Sequence, residues 1–465
     1  MSELNKRLIS IDIFKGLAII GVLLLHPTLY DNFHYPALAQ SIIPTYLFIV
    51  LLPLSLLGTF AGGFPFLSSI VGTYNICNRL NTKKSLKDAS IPILLNSTIL
   101  ILFDPIKTIL VDRTYWGAFN TDEVVYSVLG RLLETGELVF PSVEKFFQIG
   151  ILPAIGFGGY LTVFLLWLLF RKNGKEKIKR NIIILTVIGL LLAAAYHPLS
   201  TAIDPFISDL FFKGGGFIFI AFILRLFFGH QLSFFPMIVY AVFGIICGYL
   251  LAQKKEQKWI TQYGLIMGSI FLLGFGISFL ISVLQAGTSV MSVVYDILDY
   301  YLYPKELLFI SMAIIMFAFI LIVKTIEYRS EEKRERIAKR TTFLKNFGMV
   351  TLTLYFLDPI INQSLGTLFH YIFNGGILFP FDVADPYMSN ALAIGIFEIT
   401  FITFWVMLVF FWSKIKFRFG LEHLIILATN PLRKIKSQKL PLSESLMKIE
   451  ENTNDISVVN QNTEN

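Results

Sequence analysis

The chain reads as an all-α, polytopic transmembrane helical bundle of about ten spans, with one or two half-helices between them. Three observations carry this reading. Of the 465 residues, 55% are hydrophobic and only 15% charged, and mean hydropathy is +0.68; an ordinary soluble domain carries roughly 25% charge. Apolar runs recur at the length, about 20 residues, that crosses a hydrocarbon core. Basic clusters punctuate these runs: Lys6 and Arg7, then NRLNTKK, RKNGKEKIKR from Arg171 to Arg180, KKEQK from Lys254, YRSEEKRERIAKR ending at Arg340, and SKIKFRFG from Ser413. The positive-inside rule places all of them on the cytoplasmic side, so the spans between them come in pairs.

The first span covers roughly residues 11–30. Met1 to Ser10 lacks the small-residue cleavage site of a signal peptide, so this segment is expected to stay in the mature protein. A second span, 41–62, returns the chain to NRLNTKK. Apolar sequence then continues from Phe64 to Val71 through AGGFP, as a kinked extension or a re-entrant piece. Spans 89–110 and 146–170 flank an outer loop with Asp112, Arg113, Trp116, Asp122, Glu123 and Arg131, a composition suited to amphipathic turns on the membrane. Spans 181–198 and 232–252 flank an outer loop, 199–214, and residues 215–229, GGFIFIAFILRLFFG. The latter are too short to span and carry Arg225, so they are expected as an outer half-helix. Such broken pieces are tolerated at membrane depth only against protein or an aqueous cavity. Spans 261–285, 305–325, 342–362 and 389–412 complete the set. An even count leaves both termini cytoplasmic. Residues 1–436 form one membrane domain; 437–465, ending ENTNDISVVNQNTEN, are polar, without aromatics, and expected to be a disordered tail.

Net charge is +7, but the basic residues are scattered over short loops, which gives no footprint for nucleic acid. Cys77 and Cys247 sit in apolar context and imply neither a disulfide framework nor a metal site. There is no His-x-x-x-His spacing, and no glycine loop follows a strand to cradle phosphate. No metal is expected.

Chemistry concentrates in the first span, SIDIFKGLAIIGVLLLHPTL. Lys15 and His26 are eleven residues apart. That separates them by about 20° around a helix and about 16 Å along it. Asp12 lies three residues before Lys15 and is placed to pair with it. Two readings fit. Ionisable groups at membrane depth usually face a bundle interior or a cavity, which makes the stripe one wall of a tunnel. Alternatively, Asp12 and Lys15 are an interfacial anchor and His26 a polar residue at the outer interface. Asp358, between YFL and PII, is either a functional intramembrane carboxylate or a cap on a break at Pro359. Glu398 reads as a structural partner for Arg225 or an orienter of a histidine. His197 and His230 read as interfacial hydrogen-bonding residues, with His370 and His423 weaker candidates.

FKGLAIIGVLLLH resembles the first-helix signature of the membrane-bound acyltransferase-3 family: a basic residue, ten residues, then histidine. Lys15 and His26 fit it. RLISIDIFKGLAIIGVLLL also resembles the opening of the heparan-alpha-glucosaminide N-acetyltransferase family, through Arg7, Ser10, Asp12, Phe14, Lys15 and Gly16. Both belong to one transmembrane acyltransferase superfamily. The second family places a histidine in the outer loop after the first helix; His34 in NFHYPAL stands in a comparable place, at a different spacing. FGMVTLTLYFLDPII resembles a late helix with a Tyr-Leu-x-His pattern: Tyr355 matches, and Asp358 stands where the histidine is expected. FRFGLEHLI resembles the ending of related bacterial membrane proteins, without its proline.

The resemblance implies an enzyme of the cell membrane, with acetyl-CoA or another acyl-CoA as cytosolic co-substrate and a saccharide or glycolipid acceptor on the outer face. His26, His34 and Asp358 are the catalytic candidates it yields; Arg7, Asp12 and Lys15 are the candidates for holding the acyl-CoA. A transporter or flippase, and a membrane scaffold that kept the fold without the activity, are the competing classes.

Overall fold

A computed structural model of the chain describes residues 8–26, 59–82, 85–112, 115–116, 124–229, 232–253, 255–287, 290, 293–294, 304–373 and 391–429. Among these the fold is helical apart from a two-residue antiparallel ribbon, Tyr115–Trp116 against Val124–Val125. The helices are α1 (Ile9–Leu25), α2 (Gly63–Asn81), α3 (Leu86–Leu110), α4 (Val128–Thr135), α5 (Ile151–Phe170), α6 (Ile178–Lys213), α7 (Phe217–Phe227), α8 (Phe234–Ala252), α9 (Gln257–Ala286), α10 (Lys305–Ile326), α11 (Glu331–Arg340), α12 (Thr342–Met349), α13 (Thr351–Phe373), α14 (Ala391–Lys414) and α15 (Leu421–Thr429). Among the described residues, seven helices are long and apolar enough to cross a membrane: α3, α5, α6, α8, α9, α10 and α14. The expected span at 41–62 lies almost wholly outside the described residues, as do the polar tail and the chain before Leu8.

The bundle is built around α8, which is buried continuously from Pro236 to Ala252. A helix that is apolar all round belongs inside. Helices surrounded by lipid gain little from hydrophobic transfer, so close van der Waals packing holds them together. Small residues permit that approach. Gly244 and Gly248 face α2, where an added Cβ would strike the carbonyl oxygens of Phe66 and Ile70. The matched pairs Phe66–Gly244 and Ile70–Gly248 make α2 and α8 parallel. Gly16 of α1 lies against the Leu344 carbonyl, and Gly348 of α12 against the Asp12 carbonyl, so α1 and α12 touch backbone to backbone in antiparallel sense.

Three helix starts are satisfied by carboxylates from elsewhere. Glu327 Oε1 accepts from the Ser10 amide at 2.9 Å and the Ser10 hydroxyl at 2.8 Å, at the start of α1; Arg334 holds the other oxygen at 3.0 Å. Asp104 Oδ2 accepts from the Gly150 amide at 2.9 Å, at the start of α5. Glu422 Oε1 accepts from the Leu352 and Thr353 amides at 2.6 and 3.2 Å, at the start of α13. Each anion meets orphan N–H groups and the positive end of a helix dipole. By contrast α3 carries its own cap: Ser85 accepts from the Asp88 amide at 3.1 Å and donates to Asp88 Oδ2 at 2.6 Å.

The basic segments gather at one end. Lys175 bonds the Asn81 side chain, the Tyr249 hydroxyl donates to the Lys175 carbonyl, and the Tyr328 hydroxyl donates to the Lys255 carbonyl at 2.8 Å. This joins the loops that carry NRLNTKK, RKNGKEKIKR, KKEQK and the start of YRSEEKRERIAKR.

Phe64–Val71 is the first half of α2, which follows directly on a 3₁₀ turn at Thr59–Gly62 and runs to Asn81; the expected span before it lies outside the described residues up to residue 58. Two elements differ from the sequence expectation. The expected loop 199–214 is helical: α6 continues through Pro198 and Pro205 to Lys213, about 54 Å long at 1.5 Å per residue. Proline deletes one backbone bond each time, and tertiary packing holds the extension. Ile207 and Leu210 pack on Ala221 and Phe147, and Asp204 Oδ1 stands 3.4 Å from Arg225 Nη1. Arg225 thus finds its carboxylate within its own hairpin. The turn uses Gly214 and Gly215, at φ 70° and 58°, the left-handed region glycine enters without strain. The half-helix expected over 215–229 is present as α7. Finally, the expected span 342–362 is two helices, broken at Val350 and not at Pro359, which stays inside α13. Glu422 supplies partners for the amides that the break exposes.

Candidate functional site

The α1 stripe keeps its expected geometry. The helix is continuous to Leu25 and His26 ends it in helical conformation, so Lys15 and His26 share a face, about 16 Å apart along the axis. Asp12 and Lys15 open on a cavity of about 480 Å³ between α1, α2, α3, α5, α12, α13 and α15. Pockets for small molecules usually have about 300–1,000 Å³. Asp12, Lys15 and Glu422 line one part. Asn75, Asn96 and Ser97 interrupt an otherwise apolar wall of Leu67, Val71, Ile93 and Leu100. Ile151, Leu152 and Tyr355 line the part nearest the start of α5. From α15, Ile425 and Ile426 also face the cavity. The turn before α15 holds Lys416, Phe417 and Phe419 at φ 57°, 52° and 70°. Side chains adopt this conformation only where surrounding contacts impose it. The Glu422 bonds to α13 are such contacts, together with the Trp412 indole donating to the Arg418 carbonyl at 2.7 Å. Burial pushes the Glu422 carboxyl up, and the Thr353 hydroxyl and nearby amides oppose it.

At the far end of the stripe, His26 Nδ1 lies 2.6 Å from Asp358 Oδ2. The Asp358 side chain is 2% exposed and that of His26 19%. A buried carboxylate on Nδ1 fixes the ring orientation and sets the tautomer with the proton on Nδ1. Asp358 is held on α13, three residues after Tyr355 and so on the neighbouring turn of the same face.

Around Tyr355 lies an ionic cluster. Lys107 Nζ is 2.9 Å from Asp112 Oδ1 and 4.4 Å from the centre of the Tyr355 ring. The Ile151 amide donates to the Tyr355 hydroxyl at 3.4 Å. The Gln363 amide donates to the Val111 carbonyl at 3.0 Å, which fastens α13 to the end of α3. Lys145, in the 3₁₀ turn Val143–Phe147, is wholly buried. Burial pushes its ammonium down to about 7; Asp112 opposes the shift and Lys107 adds to it.

Of the residues singled out in the sequence, Asp12 and Lys15 line the cavity, and His26 and Asp358 meet. Arg7 and His34 lie outside the described residues. Sequence reading missed the Asp104, Lys107, Asp112 and Lys145 cluster. Its signal was present in FDPIK, an aspartate and a lysine inside an apolar span, which mark a functional site by default. Among the described residues, no group of three or more His, Cys, Asp or Glu is placed to hold a metal. No model of a known protein family matches the chain, and no curated protein matches it.

Proposed function

We propose that this chain is an integral membrane acyltransferase, passing an acyl group from cytosolic acyl-CoA to a saccharide or glycolipid on the outer face of the cell membrane. In this reading the chain spans about ten times, with both termini and the basic end of the bundle in the cytoplasm. The acyl group in this reading is acetyl. The observation that carries the reading is the His26–Asp358 pair at one end of a helix face whose other end opens on the cavity.

The chemistry follows from that pair. With Nδ1–H donated to Asp358, Nε2 carries the lone pair and acts as general base on the acceptor hydroxyl or amine. Asp358 then steadies the imidazolium that forms. Such a base contributes about 10²–10⁴ to the rate. Lys15, with Arg7 before the helix, offers cations to the CoA phosphates, and Asp12 orients Lys15. The thioester reaches His26 by threading the cavity, with Asn75 and Asn96 as polar contacts for an amide-bearing arm. His34 is a second base for the acceptor in the same scheme.

One observation favours a transporter instead: the charged cluster of Lys107, Asp112 and Lys145 buried in the bundle, since such groups also mark substrate pathways. Calorimetric titration of purified protein with CoA and with acetyl-CoA separates the two. Saturable binding that weakens in Lys15→Ala, and persists in His26→Ala without acetyl-CoA consumption, supports the enzyme. Well-folded wild-type protein that binds neither ligand favours the transporter.

A further inference from the structure

A thioester under attack places a negative charge on its carbonyl oxygen, and a base alone leaves that charge unmet. We infer that the Tyr355 hydroxyl is the donor to this oxyanion, with Lys107 as a positioning residue behind it. The inference rests on the acyl-transfer reading of His26 and Asp358.

Four features of the site lead there. Tyr355 is part of the cavity wall, and it stands one helical turn before Asp358, the carboxylate that meets His26 Nδ1 at 2.6 Å. Its oxygen accepts from the Ile151 amide at 3.4 Å, at the first residue of α5, where the positive end of the helix dipole points. One lone pair is thereby engaged, and the phenol's own proton donates to no other described residue. The buried Asp104 carboxylate accepts from the Gly150 amide through Oδ2. Third, the Lys107 ammonium lies 4.4 Å from the ring centre, where a cation draws electron density from the ring and makes the O–H a stronger donor. Fourth, Asp112 at 2.9 Å and burial to 2% exposure hold Lys107 in that place before any substrate arrives. A donor fixed in advance, away from water, is the arrangement that stabilises developing charge best.

The step balances. The acceptor oxygen or nitrogen forms a bond to the thioester carbon while His26 Nε2 takes its proton. The carbonyl π pair moves onto oxygen, which Tyr355 holds by hydrogen bond without giving up its proton. Collapse restores the carbonyl, breaks the C–S bond, and the CoA sulfur leaves with the proton from His26.

The test is acetyl-CoA turnover by the full-length protein in lipid nanodiscs, followed by thiol release with glucosamine as the acceptor probe. Tyr355→Phe is expected to lower kcat about 10²–10³-fold, with KM for acetyl-CoA and calorimetric CoA affinity unchanged. Tyr355→3-fluorotyrosine, a stronger hydrogen-bond donor, is expected to raise kcat above wild type. A Tyr355→Phe protein within twofold of wild type overturns the assignment. If Tyr355→Phe loses CoA binding, the fluorinated variant decides, and a kcat no higher than wild type overturns it. Wild-type protein that releases no thiol removes the acyl-transfer reading itself, which is a different result from an active Phe variant.

Discussion

His26 at the end of α1 and Asp358 in the middle of α13 meet through Nδ1 and Oδ2 at 2.6 Å. They are 332 residues apart in the chain, and their contact ties the C-terminal end of the first helix to a late one. Asp358→Asn keeps the shape of the side chain and removes its charge. The imidazolium is then unsupported, and kcat for acetyl-CoA turnover is expected to fall about 10²–10⁴-fold. CoA affinity, which the proposed function assigns to the Lys15 end, is expected to hold. A variant that loses affinity and keeps kcat would place Asp358 in binding instead.

The α1–α12 contact depends on the absence of side chains. A Cβ on Gly16 would overlap the Leu344 carbonyl, whereas Gly276 of α9 has open space around it. Gly16→Ala is therefore expected to cost about 1–3 kcal/mol through overpacking. Gly276→Ala is expected to be neutral or stabilising, since alanine is the better helix former by about 1 kcal/mol. Thermal unfolding of the two variants in detergent checks this; equal midpoints would mean that α1 has room to move off α12.

Glu422 joins α15 to the start of α13. Glu422→Ala is expected to cost about 0.5–2 kcal/mol, as loss of a helix cap does. Hydrogen exchange at the Leu352 and Thr353 amides is the direct readout. Both amides should exchange faster in the variant, and unchanged protection there would show that the break at Val350 is held by something else.

Lys145 gives a pH dependence with a definite sign. Burial takes its ammonium from the ordinary 10.5 down to about 7. Between those values the unfolded chain holds a proton that the folded chain has lost, so folding stability rises with pH across this window. Below about 7 the lysine is charged in both states and the gain is gone. The unfolding midpoint of wild type should climb more steeply from pH 7 to 10 than that of Lys145→Met. Parallel slopes would assign the dependence to other groups.

Parts of this arrangement were legible in the sequence because helix geometry alone fixes them. The spacing of Lys15 and His26 dictates a shared face wherever the helix packs. Arg225 among the ten apolar residues of Phe217–Phe227 announces a piece too short to span. Asp358 stood out as a carboxylate in an apolar run, but its partner did not, because no local pattern links residue 358 to residue 26. The long α6 was hidden for the opposite reason: Pro198 and Pro205 argue locally for a stop, and the packing of Ile207 and Leu210 on Phe147 and Ala221 outweighs them. Likewise the break at Val350 is invisible without Glu422, which reaches it from 70 residues further along. Gly16 stands in the sequence as part of a motif, and its physical role needs the Leu344 carbonyl beside it.

The acyl-transfer step is tested most directly by thiol release from acetyl-CoA, with glucosamine as the acceptor, by wild-type protein and by His26→Ala, both in nanodiscs, with CoA affinity measured on the same samples. Wild type is expected to release thiol steadily, and His26→Ala to lose about 10²-fold or more of that rate at unchanged CoA affinity. Equal release by the two proteins, or none by a wild type that is folded and binds CoA, would contradict it.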